Sequence, residues 1–268
     1  MNIKLNTSDL FNLKDESVLI TGAAGQIGSM VVDSLLNVGA KVAAVDRSLN
    51  SLEEKANSMN WDSKLVILIE ADVCNRDRVS SAFDTAKSKF GSIDHLINNA
   101  GVSVFEPYME LTEESIDYVM NVNLKGTIFC VQNYLRMKQN KIESRGVIVN
   151  IASHYGLVSP DPRIYTDCDR KNSEIYGATK AGIIQLTKYY AAHAVNYGVR
   201  VNAVSPGGVR NSENPQGEDF QRNYSFRCPL GRMAETWEIV GTIIFLLSPA
   251  ANYITGQNIV VDGGMTSW

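Results

Sequence analysis

The chain has 268 residues, with 25 Lys and Arg against 29 Asp and Glu, for a formal net charge of −4 with the histidines neutral. Hydrophobic residues make up 44% and charged residues 20%, which suits a sizeable core and argues against disorder. No long block of one sign points to a nucleic-acid partner, and the longest nearly apolar run, Ile239 to Leu247, is far too short to cross a bilayer.

The N-terminus, Met1 to Thr7, lacks the apolar core of a signal peptide. The four cysteines (Cys74, Cys130, Cys168, Cys228) are widely spaced, with no C-x-x-C pair and no Cys/His cluster. No metal site is expected, and the thiols read as reduced and cytoplasmic.

After a polar lead-in over residues 1–13, Ser17 to Thr21 reads as a short buried strand. It runs into Gly22-Ala23-Ala24-Gly25-Gln26-Ile27-Gly28 and then the amphipathic segment Ser29 to Val38. Strand, glycine-rich turn and helix form the context of a dinucleotide site, in which backbone N–H groups approach a pyrophosphate at a helix N-terminus. An ordinary βα turn is the plainer reading. The next strand, Lys41 to Val45, ends in Asp46, 24 residues past Gly22. A carboxylate there would accept from ribose hydroxyls and repel a 2′-phosphate, which favours NAD; Arg47 beside it would accommodate that phosphate, which keeps NADP open.

Leu65 to Glu70 is a third strand, followed by Asp72-Val73, where Asp72 is a candidate adenine contact or a helix N-cap. Arg76 to Phe90 is helical in pattern. His95 to Ile97 is a fourth strand, and it leads into Asn98-Asn99-Ala100-Gly101. Leu111 to Arg136 reads as one long helix interrupted at Asn121-Val122-Asn123, because asparagine side chains compete for backbone groups. Gly146 to Ile151 is a fifth strand and brings Ser153 to the carboxyl edge of the sheet, where open α/β sheets bind ligands.

His154 to Glu174 reads as a charged loop. Ile175 to Tyr197 is a helix carrying Tyr176 and Lys180, one turn apart on one face. A phenol is a poor acid or base near neutrality until a nearby positive charge favours its phenolate. Arg200 to Val204, Thr236 to Leu247 and Asn258 to Val261 complete the pattern as strand, helix and strand. The polar stretch 211–228 between the first two reads as a mobile lid. Alternating strands and helices without a Pro/Gly linker give an α/β chain of one domain.

These pieces resemble the short-chain dehydrogenase/reductase family in its compact branch, from about Leu13 to Met265. The matching residues are Thr21-Gly22 with Gly28, Asp72-Val73, Asn98 to Gly101, Asn123, Ser153, Tyr176 with Lys180, Arg200-Val201-Asn202, Pro206-Gly207, Tyr253 to Gly256 and Val261 to Gly264. The resemblance implies a Rossmann-type, doubly wound parallel sheet of about seven strands with helices on both faces. It implies a secondary alcohol/ketone oxidoreductase using NAD, with NADP not excluded, and a homo-oligomer, tetramer or dimer.

In this reading Tyr176 is the general acid/base. Lys180 holds the nicotinamide ribose and depresses the Tyr176 pKa, Ser153 polarises the carbonyl, and Asn123 holds a relay water. The cofactor set is Gly22, Gly25, Gln26, Ile27, Gly28, Asp46, Arg47, Asp72, Val73, Asn99, Ala100, Gly101, Tyr176, Lys180, Pro206, Gly207 and Val209.

Three departures stand out. The glycine spacing Gly22/Gly25/Gly28 resembles that of nucleotide-sugar epimerases and dehydratases. Asn211 replaces a usual threonine. The gap from Ser153 to Tyr176 is longer than in compact members, and the extra residues at 156–174 form an expected substrate loop. His154, Tyr155, Arg163 and Tyr165 are the substrate candidates there, with Arg170 and Lys171, and they suit a polar small molecule, anionic or sugar-like. The alternatives are a 3-oxoacyl-carrier-protein reductase, an epimerase or dehydratase retaining NAD, and a non-catalytic cofactor sensor.

Overall fold

A computed structural model of the chain describes residues 6–139, 145–166, 172–211 and 215–268. Seven parallel strands form one sheet: β1 Ser17–Thr21, β2 Lys41–Asp46, β3 Val66–Glu70, β4 His95–Asn98, β5 Gly146–Ile151, β6 Val199–Pro206 and β7 Asn258–Val261. Their order is β3-β2-β1-β4-β5-β6-β7. The chain winds outward in one direction from β1 and in the other from β4, so the two halves diverge between them. That switch point is where such sheets open a ligand crevice.

The strands are near-continuous apolar runs because both faces of the sheet are covered. Val18 and Ile20 of β1 point to one face and Leu19 to the other; β2 alternates likewise, with Val42 and Ala44 against Ala43 and Val45. On the first face lie α2 (Gln26–Asn37), α3 (Leu49–Ser58) and α9 (Thr236–Leu247). On the second lie α4 (Arg76–Phe90), α6 (Thr127–Lys138) and α7 (Glu174–Ala194). The remaining helices are α1 (Thr7–Leu10), α5 (Glu113–Met120) and α8 (Glu218–Arg227).

Helix starts carry the caps their sequences offer. Asn75 accepts from the N–H groups of Asp77 and Arg78 at 3.0 and 3.1 Å, and Thr112 accepts from Ser115 at 3.2 Å. Thus Asn75, not Asp72, caps α4.

Two motif residues prove to be scaffolding. Arg200 donates to the carbonyls of Leu246 at 2.9 Å and Ile254 at 3.2 Å, tying β6 to the end of α9. Asn202 donates to Ile254 O at 2.8 Å and accepts from Gln257 N at 3.0 Å, which aligns β7.

Two expectations need correction, and one helix carried no assignment from the sequence. The long helix from Leu111 to Arg136 is not broken at its asparagines: α5 passes through a π-helical segment, Asn121–Gly126, directly into α6. A π-turn accommodates the extra residue by widening the backbone ladder. The unassigned helix, α3, lies in a stretch whose only buried residue is Leu52, too little to give a helical apolar pattern. Second, the described part of 211–228 holds α8, docked rather than free. Phe220 and Tyr224 are buried with Ile164, Tyr165 and Met265, and the Gly208 N–H donates to Tyr224 Oη at 2.6 Å.

Candidate active site

The site begins at the end of β1. Gly22 sits at φ +65°, a conformation that favours glycine. A Cβ on Gly28 would lie 2.1 Å from the Gly22 carbonyl oxygen, so only glycine lets α2 start this close to the strand. The turn is clamped from β4. Thr21 Oγ1 accepts from the Asn99 and Ala100 N–H groups at 3.2 and 3.1 Å. Asn99 Nδ2 donates to the carbonyls of Thr21 at 3.0 Å and Gly22 at 2.9 Å. Gln26, at the departed glycine position, donates to Arg210 O at 2.5 Å and Thr236 Oγ1 at 2.9 Å. Its side chain therefore spans from the turn to the β6 side of the site.

At the tip of β2, Asp46 accepts from Ala24 N at 3.0 Å and Ser48 N at 3.3 Å, which fixes its carboxylate beside the glycine turn. Arg47 turns the other way and donates to Tyr118 Oη at 3.0 Å. Asp72 accepts from Cys74 N at 2.8 Å.

On the other side of the switch point, Ser153 lies just past β5, buried, and its Oγ accepts from Tyr155 N at 3.1 Å. The Tyr176 phenol is hydrogen-bonded to Ser153. Lys180, one turn along α7, donates from Nζ to Ile151 O at 2.8 Å, and Nζ lies 5.6 Å from the Tyr176 ring centroid. Asn123 is wholly buried in the π-turn. Its Nδ2 donates to Val102 O and Thr179 Oγ1, both at 3.0 Å, and its Oδ1 accepts from Val102 N at 2.8 Å.

The electrostatics correct one expectation. Burial raises the Tyr176 pKa, and only the bond to Ser153 opposes it; Lys180 is not among the groups that lower it. Burial also lowers Lys180, to about 8. In the protein alone, loss of water around the phenol outweighs the attraction of the ammonium.

Gly22, Gln26, Asp46, Asp72, Asn99, Ser153, Tyr176 and Lys180 line one cleft of about 650 Å³, whereas Asn123 stands outside its wall. Of the expected cofactor contacts, only Gly28, packed beneath the turn, is absent from the wall. Phe105, Tyr118, Asn172 and Gln216 also line the cleft; they come from loops and a helix flank, and no sequence pattern marks them. The cradle fits a dinucleotide: a glycine turn with no room for a Cβ, a carboxylate at the tip of β2, and a buried lysine beside a half-buried tyrosine at the far end. Among the described residues no group of His, Cys, Asp or Glu could hold a metal ion.

The substrate candidates are dispersed. His154 is buried, and its Nδ1 meets Pro206 O at 3.0 Å, a brace between β5 and β6. Tyr155 bonds through its hydroxyl to that of Tyr165 at 2.8 Å. Arg163 faces solvent, paired with Asp161 at 2.7 Å. Of these four, Tyr165 lines a groove beside the cleft, and the other three line neither the cleft nor that groove. Arg170 and Lys171 lie outside the described residues.

Comparisons with known proteins agree with this geometry. The family profile described as enoyl-(acyl carrier protein) reductase matches residues 22–266. A 3-oxoacyl-[acyl-carrier-protein] reductase of Staphylococcus aureus is 33% identical over 255 residues, covering 93% of this chain and 98% of the relative. A D-threitol dehydrogenase of Mycolicibacterium smegmatis is 33% identical over 259 residues, covering 96% and 95%. A crystal structure of a short chain dehydrogenase from Leptospira borgpetersenii with bound NAD+ superimposes with a TM-score of 0.86 at 41% identity, covering 99% and 98%. The glycine turn, the Ser153–Tyr176–Lys180 cluster and these matches along nearly the whole chain lead to one conclusion: the chain belongs to the short-chain dehydrogenase/reductase family, NAD(P)-dependent oxidoreductases acting on CH–OH and carbonyl groups.

Proposed function

We propose that the protein is an NAD-linked dehydrogenase/reductase of a polar, hydroxylated small molecule, with Ser153, Tyr176 and Lys180 as its catalytic residues. The observation that carries this reading is the convergence of those three side chains at the end of a cleft floored by the glycine turn.

Gly22, Gly25, Gln26 and Ile27 would hold the pyrophosphate, with Gly28 allowing the close packing beneath. Asp46 would meet the adenosine ribose, with Arg47 beside it drawn to Tyr118, and Asp72 and Val73 would meet the adenine. Asn99, Ala100, Gly101, Pro206, Gly207 and Val209 line the route to the nicotinamide. A bound dinucleotide supplies the hydride donor or acceptor. The chain's own residues manage the proton. In reduction, Ser153 Oγ donates a hydrogen bond to the carbonyl oxygen and Tyr176 Oη delivers the proton; in oxidation, Tyr176 takes it back. Lys180 is the charge that must stabilise the phenolate.

Both Nδ2 protons of Asn123 are taken, by Val102 O and Thr179 Oγ1, and its Oδ1 accepts from Val102 N, so Asn123 acts as a positioning residue. A relay water would fall to its main-chain carbonyl oxygen, which accepts from Thr127 Oγ1 at 2.8 Å and keeps a second lone pair.

The preference for NAD is supported by Asp46 standing beside the glycine turn while Arg47 is drawn across to Tyr118. One continuous sheet supports a single domain over residues 1–268. Exposed apolar side chains on α5 and α7 (Ile116, Met120, Tyr189) and just past α7 (Val195) support a homo-oligomer, dimer or tetramer. No helix among the described residues is long and apolar enough to cross a membrane. With Cys74, Cys130 and Cys228 all free, a cytoplasmic location is the reading supported.

The test is a panel of polyols, hydroxy acids, small ketones and acyl thioesters, read as absorbance of the reduced nicotinamide with NAD(H) and NADP(H) in parallel. Tyr176→Phe should lower kcat by about 10²- to 10⁴-fold while leaving NAD binding intact. An unchanged kcat sinks the assignment, and better turnover with NADP(H) sinks the reading of Asp46. A 3-oxoacyl-carrier-protein reductase is the second reading, favoured by the Staphylococcus aureus relative. Turnover confined to the thioester with NADPH would select it.

A further inference from the structure

Beside the cleft lies a second cavity, a groove of about 360 Å³ between the segment after β4 and the stretch leading into α7. Asn172 lines both cavities, and its Oδ1 accepts from Ser103 Oγ at 2.8 Å, so the two meet at one fixed side chain.

The charges on the groove are one-sided. Glu106 and Glu174 line it, and among the described residues no basic side chain does. Glu106 is held in place: its Oε1 accepts from Ser115 Oγ at 2.6 Å and its Oε2 from Thr112 N at 3.3 Å. The ion pairs among the described residues involve neither carboxylate. The positive end of the α7 dipole would favour an anion, but Glu174 stands in that first turn.

Two further features point to a hydroxylated ligand. Ser173, on the groove wall, is buried, caps no helix N–H and has no hydrogen-bond partner for its Oγ. A buried unpaired hydroxyl is costly, and a ligand hydroxyl would relieve that cost. Tyr108, 74% exposed, offers an aromatic face at the rim.

We propose that this groove is a second substrate subsite, and that Glu106 and Glu174 make it accept a neutral or cationic hydroxyl-bearing segment and exclude an anionic one. The proposal rests on the reading of the adjoining cleft as an alcohol/ketone site, and it narrows the substrate to chains long enough to reach past Asn172. Ligand hydroxyls donate charge-assisted hydrogen bonds to the two carboxylates, whereas a terminal carboxylate or phosphate meets like charge. The same charges oppose docking of an acidic carrier protein.

The test compares kcat/KM for a straight-chain polyol and for the aldonic acid of the same length, with NAD, at low and high salt. Wild type should favour the polyol. The double variant Glu106→Gln/Glu174→Gln should narrow the polyol-to-acid ratio by about tenfold, mainly through KM, and high salt should narrow the ratio in wild type but not in the variant. Glutamine retains an acceptor for Thr112 and Ser115, and Glu174→Gln alone, at an exposed position, should narrow the ratio about threefold should the double variant fold poorly. A ratio unchanged within about twofold, with wild type active, overturns the groove proposal alone. Wild type inactive on both compounds overturns the underlying reading as well.

Discussion

Asn123→Ala removes a side chain that hydrogen-bonds the π-turn to the loop after β4 and to α7. Three hydrogen bonds go with it, to Val102 N, Val102 O and Thr179 Oγ1. Asn123 is wholly buried, so water does not readily replace the amide. At about 1 kcal/mol for each lost bond, the substitution should cost about 3 kcal/mol. For a chain of this size that corresponds to a fall in Tm of about 6–12 °C. A Cβ on Gly101 would lie 3.2 Å from Lys180 Nζ and 3.5 Å from Asn123 Oδ1, so the loop passes close to both and loosening it also disturbs the end of the cleft.

The assay is denaturant unfolding, followed by kcat at a temperature where the variant is folded. Both stability and kcat should fall, and NAD affinity should fall less than kcat. A variant as stable as wild type, within about 0.5 kcal/mol, but with kcat reduced by about 100-fold would refute the clamp and make Asn123 a direct participant in proton transfer.

Two further outcomes follow from buried bases. Burial lowers Lys180 to about 8, so between that value and its unfolded value the unfolded chain binds the extra proton and stability rises with pH. Below pH 8 the buried ammonium is a standing cost, and Lys180→Met should stabilise the fold at pH 7 by about 1–2 kcal/mol, net of the bond to Ile151, while abolishing turnover; loss of stability on this substitution, measured by denaturant unfolding, would reverse the argument. His95 is likewise lowered by burial, to about 4, so its contact with Glu16 at 3.6 Å is not an ion pair near neutrality. Between pH 6.5 and 4 the unfolded chain binds the proton first, stability should decline through that window, and His95→Asn should flatten the decline in a thermal-unfolding series.

The strands were legible because both faces of the sheet are covered, which leaves short apolar runs bounded by polar residues. Ser153, Tyr176 and Lys180 were legible because proton transfer restricts residue type and a helix restricts spacing. What escaped shares a physical cause. In α8, burial rests on Phe220 and Tyr224 alone, and that i, i+4 aromatic pair in a polar stretch was the one signal available. The direction of the Tyr176 shift depends on how deeply the phenol is buried, which spacing does not encode. Arg163 is captured by Asp161 two residues away, a local competition stronger than any attraction toward the cleft. The loop residues that complete the cleft walls are placed by tertiary contacts, not by pattern.

Gln26 gives the glycine turn a mechanical connection that a glycine there would lack. Its amide reaches the Arg210 carbonyl and the Thr236 hydroxyl, so the turn moves with the end of β6 and the start of α9. A ligand that stills the turn also stills the far wall, and the entropy lost there is not lost again when the second ligand arrives. The expected counterpart is mutual tightening of nucleotide and substrate, each binding better in the presence of the other, which Gln26→Gly should weaken in paired binding measurements.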